Sequence, residues 1–526
     1  MNNLITPYGG KLTALTGTPE HQAALKLEAL DLSSIDLSPH QTADLELLIN
    51  GGYSPLTGYM NRADYESVAT SMRLADGTFW PVPIALEVTE TIGATLVHGA
   101  RVALRDAEGF MFAVLTVGDV WPVDGKVRVG GALAGAGLPQ HHDFTDLRLS
   151  PEEMRRQFAR HGWRRILSYQ PEHALFRPQY DFIVESARNH EASLLLHPVA
   201  GEIPADEVEY FARIHGYQAV LARSAHASTA LALLPLPDHG GGLRAALLKA
   251  IVARNYGCTH VVLEGVPDTE LAPYIADLGL ALIGLPTMVY VEAEGKHVPS
   301  TQTHGQVTKQ ILSTEEVHRR LEHGHEIPEW FAYPEVVAAL RCAYPPRHMQ
   351  GVCVFFTGFS GSGKSTLAKA LMVRLLELGG RQVTLLDGDI VRKHLSSELG
   401  FSREHRDLNI RRIGYVASEI VKHRGLAICA PIAPYALTRR DVRQMIEQYG
   451  GFFEIHVATP IEMCESRDRK GLYAKARAGL IKEFTGVSDP YEVPASPELA
   501  IDTSDIGVDE AVQRVLLKLE REGYLR

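Results

Sequence analysis

Short apolar, β-branched runs and amphipathic helical periods alternate along this chain, and the texture changes twice. In residues 1–149 brief strand-like runs are broken by Gly/Asp turns. Residues 79–88 form one such run, and the turn 105–109 precedes another at 110–115. From Ser150 onward, apolar runs at 194–199 and 260–263 alternate with helical stretches such as 242–256, which predicts an α/β domain on a parallel sheet. A polar amphipathic stretch, 313–342, closes this half. The Pro345-Pro346 pair then stops any helix and marks a linker. Beyond it, 352–356 reads as a buried strand, 366–371 opens a helix, and 382–386 reads as a second strand. The expected organisation is a β-rich domain over 1–149, an α/β domain over 150–342, a linker at 343–350 and a second α/β domain over 351–526.

Composition narrows the function classes. The chain has 526 residues, 45% of them hydrophobic and 22% charged, which suits globular domains with sizeable cores. A net charge of −11 argues against nucleic-acid or membrane partners, so any basic site is local. The five cysteines are scattered and never form a C-x-x-C pair, so neither a zinc nor a disulfide framework is expected and a reducing compartment fits. Residues 1–17 lack a basic segment followed by an apolar core, and no apolar run approaches the ~20 residues that span a bilayer. A cytoplasmic location is expected.

The chemistry begins between the strand at 352–356 and the helix that follows it. Gly358-Phe359-Ser360-Gly361-Ser362-Gly363-Lys364-Ser365 is a complete phosphate-binding (P-loop) pattern. Backbone N–H groups of such a loop and the helix N-terminus face one point, where a polyphosphate can sit. Gly358, Ser360, Gly361, Ser362, Gly363, Lys364, Ser365 and Thr366 are therefore assigned to a nucleoside triphosphate, with Lys364 reaching the β- and γ-phosphates and the Ser365 hydroxyl on Mg²⁺. Asp387 and Asp389 stand beyond the next strand, where an open parallel sheet places its ligand crevice. Either carboxylate can orient a hydroxyl nucleophile or accept its proton, and Asp387 can hold Mg²⁺; Asp-Gly-Asp is also an ordinary turn sequence. Arg392, Phe401 and the cationic stretch 406–412 follow, which predicts a second, anionic substrate in an otherwise acidic protein.

These segments resemble adenylylsulfate (APS) kinase: residues 387–392, 399–402, 406–412, 467–479 and 484–492 all match that family's motifs. The resemblance covers the whole C-terminal domain. It implies transfer of the ATP γ-phosphoryl group to the ribose 3′-hydroxyl of APS, giving 3′-phospho-APS (PAPS). It also implies that Arg392, Phe401, Arg406 and Asn409 hold APS, with Phe401 stacked on the adenine and Phe484 covering the other face. Asp389, Ile432 and Ala433 would line the same substrate, Arg467 would meet ATP, and Lys470 would lie on a lid over the anions. Ala433 stands where the family often has a serine proposed as a phosphorylated group. Alanine closes that route, and direct in-line transfer does not need it. A regulatory PAPS-binding module and a nucleoside or shikimate-type kinase are the other P-loop readings. The intact Lys364-Ser365 speaks against the first, and 470–473 with 484–486 speak against the second.

The first 342 residues resemble ATP sulfurylase, with a β-rich, PUA-like first domain followed by a nucleotidyltransferase-like α/β domain. Segments 47–60, 72–78, 196–201, 255–260 and 327–331 carry the likeness. The resemblance implies a motif Q-T-R-N-P-x-H-x-x-H whose arginine and histidines bind sulfate and ATP phosphates. Aligned on Pro178, those positions hold Phe176, Tyr180 and Ile183. A second motif, G-R-D-H-A-G, should follow 259–263, where residues 264–269, including Pro267, stand instead. Anionic chemistry without these donors loses its main electrostatic support. The expectation is an APS kinase with a catalytically silent sulfurylase-like half, the alternative being a bifunctional sulfurylase–kinase. His173, His190 and His197 are read as packing or polar residues rather than ligands. Both family resemblances imply a homo-oligomer.

Overall fold

The computed structural model describes residues 4–123, 125–201, 207–223, 228–303, 307–400, 402–468 and 471–526. The chain divides into two compact units, one of Met1–Val317 with Ile327–Ala343 and one of His318–Glu326 with Tyr344–Arg526.

The first unit begins with a six-stranded sheet in the order Ser34–Asp36, Arg101–Arg105, Met111–Val123, Lys126–Gly135, Gly58–Tyr59, with Leu86–Val88 also paired to Lys126–Gly135. All its pairings are antiparallel except that of Ser34–Asp36 with Arg101–Arg105. The apolar run at 79–88 becomes a strand only over Leu86–Val88. Pro81 and Pro83 have no N–H to give to a ladder, so the earlier part packs as irregular backbone. Trp80 is fully buried there and donates its indole N–H to the Val82 carbonyl at 2.7 Å.

The second sheet of this unit is five-stranded and parallel, ordered Ala281–Gly284, His260–Leu263, Ile166–Tyr169, Ser193–Leu196, Thr229–Leu231. The strand expected at 194–199 stops at Leu196, two residues before Pro198. The helix expected at 242–256 runs Leu243–Tyr256, with Gly242 preceding it at φ +84°. The amphipathic stretch at 313–342 is two helices, Thr314–His323 and Pro334–Ala343.

The second unit is a five-stranded, all-parallel sheet ordered Val383–Asp387, Leu426–Ala430, Gly351–Thr357, Gly450–Val457, Leu499–Ile501. Gly351–Thr357 is central and buried along its whole length, so its side chains feed two cores in turn. Val352, Val354 and Phe356 join the core that includes Leu367 and Leu371 of helix Lys364–Leu378 and Val512 and Val515 of helix Val508–Arg521. Cys353 and Phe355 join the opposite core, with Ile413 of helix Arg403–Lys422 and Val442 of helix Ala436–Glu447. Those two helices pack at Gly414, where an added Cβ would stand 2.7 Å from Val442 Cγ2. The α/β expectation holds for both halves, with a β-rich module ahead of the first parallel sheet.

Candidate active site

The phosphate loop connects the central strand Gly351–Thr357 to helix Lys364–Leu378. Gly361 and Gly363 sit at φ +77° and +107°, backbone that other residues rarely adopt. At Gly358 a Cβ would come within 2.5 Å of the Val457 carbonyl oxygen, so the loop can lie this close to the neighbouring strand only with glycine. Lys364 is buried, and its ammonium donates to the carbonyls of Gly358 (2.8 Å) and Phe359 (2.6 Å). The loop is also anchored from below: the Ser362 carbonyl accepts from the hydroxyls of Thr459 (3.1 Å) and Thr503 (3.0 Å). Ser365 and Thr366 are exposed in the first turn of the helix. Such a curled, amide-lined loop with a desolvated lysine at its end fits a nucleoside triphosphate.

Asp387 is the last residue of strand Val383–Asp387, buried, and helix Gly388–Leu395 starts immediately after it. The Asp-Gly-Asp segment is thus a strand-to-helix junction rather than a free turn, and Asp389 lies in the first turn of that helix. The carboxylate at a C-terminal strand end beside the phosphate-loop strand's neighbour, Leu426–Ala430, suits Mg²⁺ or an acceptor hydroxyl.

The residues expected to meet the acceptor substrate lie on three separate stretches. Arg406, on helix Arg403–Lys422, donates to Thr485 Oγ1 at 3.0 Å and to the Tyr435 hydroxyl at 2.9 Å, and pairs with Asp489 at 2.8 Å. One turn along the same helix, Asn409 is 5% exposed and its Oδ1 has no hydrogen-bond partner among the described residues. A buried amide oxygen left unmatched is costly, and a bound ligand would satisfy it. Arg392 donates to the carbonyls of Leu399 (3.1 Å) and Gly400 (2.9 Å), holding the turn that leads to Phe401. Ile432 and Ala433 lie beside the phosphate-loop strand: Thr357 donates its hydroxyl to the Ile432 carbonyl at 2.7 Å, and Gly358 N–H reaches the same oxygen at 3.3 Å. Ala433 is buried at φ +46°.

Two assigned residues have roles in tethering neighbouring segments. Arg467 grips Thr503 through its hydroxyl and carbonyl, both at 2.8 Å, and so bears on the threonine that supports the loop. Phe484 packs edge-on against Tyr473 at 5.0 Å, and Tyr473 donates its hydroxyl to the Ser360 carbonyl at 2.8 Å, tying the segment after residue 471 to the loop. Phe401 and Lys470 lie outside the described residues. Tyr435, Thr485, Asp489, Tyr473 and Thr503 were not singled out as site residues from sequence. Each is a common residue type whose importance comes only from distant partners.

In the first unit, of the positions aligned with sulfurylase motifs Tyr180 and Ile183 are buried, Phe176 is partly buried and Pro267 is exposed. Phe176 precedes helix Arg177–Asn189 and stacks on Phe331 at 4.6 Å. Tyr180 is 4% exposed and meets Tyr333 edge-on at 6.4 Å, and Ile183 is fully buried. Pro267 caps the short helix Asp268–Leu271. Arg177 donates to the Glu329 carbonyl at 2.8 Å and lies over the Tyr333 ring.

Three families match this chain: residues 5–134 match the PUA-like domain, 145–343 match ATP-sulfurylase, and 350–502 match Adenylylsulphate kinase. A sulfate adenylyltransferase from Neurospora crassa is 41% identical, with 99% of each chain aligned. One from Mycosarcoma maydis is 40% identical over the same share of each. Among solved structures, a hexameric APS kinase from Thiobacillus denitrificans is 50% identical, covers 99% of this chain and 100% of its own, and superposes with a TM-score of 0.87. Among the described residues no helix is long and apolar enough to cross a membrane.

Proposed function

This chain belongs to the sulfate adenylyltransferase family and carries PUA-like, ATP-sulfurylase and APS kinase domains, and we propose that its activity is the phosphorylation of APS by ATP to give PAPS. The observation that carries this reading is that one α/β unit holds both a complete phosphate loop with buried Lys364 and, on a helix packed against the loop's sheet, Arg406 and the unmatched Asn409. The loop N–H groups and Lys364 would hold the triphosphate and stabilise charge on the transferring group. Ser365 and Asp387 would hold Mg²⁺, which when bound neutralises phosphate charge. Asp387 or Asp389 would orient the sugar hydroxyl and take its proton. Arg406 and Arg392 would meet the APS anion, with Ile432 and Ala433 beside it. The functional boundaries we assign are 1–149, 150–342, a linker at 343–350, and 351–526.

The finer part of the proposal is that the sulfurylase-like domain is silent, because Phe176, Tyr180, Ile183 and Pro267 offer neither cations nor imidazoles. The second reading, a chain with both activities, is favoured by the name sulfate adenylyltransferase borne by relatives aligned over 99% of this chain. Self-assembly is also proposed, since the relative at 50% identity is described as hexameric. The test is to give the purified full-length protein Mg²⁺, ATP and APS and to follow ADP and PAPS. Stoichiometric formation of both is expected; failure to make PAPS would overturn the kinase reading. Replacing APS by sulfate, with pyrophosphatase added, and finding APS or PAPS among the products would carry the second reading.

A further inference from the structure

In the first unit a second constellation stands apart from any residue used above. Helix Pro39–Asn50 is fixed at its start by Pro39 and by a reciprocal cap between Ser38 and Gln41. It presents His40 and Asp44 four residues apart, on one face. His239 comes from the segment ahead of helix Leu243–Tyr256, in a bend held by Gly240 N–H on Asp238 (2.7 Å) and by positive φ at Gly240 and Gly242. Its Nε2 is 2.9 Å from Asp44 Oδ1, while His40 Nε2 is 3.7 Å from Asp44 Oδ2. The two imidazoles stand edge to face, 5.2 Å apart, and one ligand atom from each of the three residues lies within 4.8 Å of the others.

We propose that His40, Asp44 and His239 bind one divalent transition-metal ion of the Zn²⁺ class, pinning the helix Pro39–Asn50 to the segment that enters helix Leu243–Tyr256. Two imidazole nitrogens and a carboxylate suit Zn²⁺, Co²⁺ or Ni²⁺ and disfavour Mg²⁺ or Ca²⁺, which want all-oxygen shells. Ligand atoms around a tetrahedral zinc bound at about 2.0–2.1 Å stand roughly 3.4 Å apart. The observed separations, 2.9 Å from His239 to Asp44 Oδ1 and 3.7 Å from His40 to Asp44 Oδ2, lie on either side of that value, and side-chain rotation would bring the three ligands onto one ion.

The carboxylate is already oriented as metal ligands usually are. Tyr53, fully buried and edge-on to Trp80 at 5.9 Å, donates its hydroxyl to Asp44 Oδ1 at 2.8 Å. Asp44 and His239 side chains are each 10% exposed, whereas His40 is 39% exposed. The ion would therefore enter past His40, and water would fill the open coordination position.

The same atoms also form a hydrogen-bonded network in the metal-free protein. Tyr53 Oη, Asp44 Oδ1 and His239 Nε2 form a triangle of 2.8, 2.9 and 3.0 Å edges. There the phenol and an Nε2–H imidazole both donate to Asp44 Oδ1. With a cation bound, His239 Nε2 points its lone pair at the metal and the phenol keeps a single bond to Asp44.

The test strips the full-length protein with a chelator and titrates it with Co²⁺, followed by the visible absorption of the bound ion, and with Zn²⁺ in a calorimeter. One ion per chain is expected, with a rise in the unfolding temperature of the first unit. His40→Ala, a change at a partly exposed position, and His239→Ala should each abolish the spectrum and the thermal shift. Tyr53→Phe should weaken binding by roughly 10-fold. No Co²⁺ spectrum in the wild-type protein, or one that survives unchanged in both histidine variants, would overturn the proposal.

Discussion

Arg406 Nη2 lies 2.8 Å from Asp489 Oδ2, and the Tyr435 hydroxyl bonds to both, at 2.9 Å to the arginine and 2.6 Å to the aspartate. The guanidinium is thus oriented by an internal carboxylate before any substrate arrives. An APS anion meeting it gains a pre-positioned cation instead of a mobile one, and loses part of its attraction to Asp489. Arg406→Ala should therefore weaken APS far more than ATP. A charge-assisted contact is worth about 1.5–3 kcal/mol, so kcat/KM for APS should fall roughly 10- to 100-fold. Steady-state kinetics with each substrate varied in turn would check it, and equal losses for both would remove Arg406 from the acceptor site.

Lys364 is a buried cation that donates to two carbonyls of its own loop. The ammonium has three N–H donors, and one aimed at the phosphates would let Lys364 act on the transferring group. Lys364→Ala should lower kcat by about 10²–10³-fold, the cost of removing one preorganised charge donor at a reacting centre. Single-turnover measurements separate this from nucleotide release; near-normal turnover would show that another cation does the work.

The phosphate loop and its flanks were legible because every requirement is local: a buried strand, glycines at turns of positive φ, and a helix start within one short stretch. Strand 352–356 was legible for the same reason, since a central parallel strand is apolar on both faces. Residues 79–85 misled, because their apolar content signalled a strand while Pro81 and Pro83 deny the ladder its donors. The Arg406 cluster was only half visible. Thr485 and Asp489 stand roughly eighty residues beyond Arg406 in sequence, and nothing in their spacing says that they meet it. His40 and His239 are separated by most of a domain, so cysteine spacing, the usual zinc signal, could not reveal them.

Arg439 is the least exposed cation of the kinase unit's described ion pairs, at 4%, and it is fully used. It pairs with Glu454 at 2.7 Å and donates to the carbonyls of Ala433 (2.8 Å) and Glu492 (2.7 Å). It thereby fixes the segment holding Ile432 and Ala433 to the sheet. Arg439→Ala leaves a buried carboxylate and two carbonyls without it, a loss of about 3–5 kcal/mol for breaking such a pair. Arg443, 3.7 Å from Glu454, should hold the loss toward the lower end. Hydrogen exchange of strand Gly450–Val457 under increasing urea would report it, and unchanged protection would refute it.

His197 is fully buried, edge-on to Tyr256 at 4.5 Å, and burial pushes its pKa down to about 3. An unfolded chain would take up a proton at this side chain near pH 6.5, the folded chain only near pH 3. Between those values the unfolded state binds more protons, so stability falls as pH falls through the window. His197→Phe removes that linkage. The variant's unfolding temperature should fall less steeply than the wild type's between about pH 6 and pH 4. Parallel curves would place the acid sensitivity elsewhere.

The sulfurylase-like domain is the sharpest test of reading function from side chains rather than from fold. Adenylylation of sulfate brings two anions together, and a protein helps chiefly by placing donors and cations where that charge builds. Here the aligned positions carry a Phe176–Phe331 stack, a buried Tyr180 and a buried Ile183, which exclude water and offer no positive charge. Wild-type protein given ATP, sulfate and pyrophosphatase should form neither APS nor PAPS above background. Tyr180→His alone should not restore activity, because groups that act as one constellation fail together and are not rescued singly. Sulfate-dependent formation of APS or PAPS at a rate comparable to the kinase step would overturn this reading. It would mean that Arg177, held on the Glu329 carbonyl and the Tyr333 ring in this structure, or another cation has rebuilt the site.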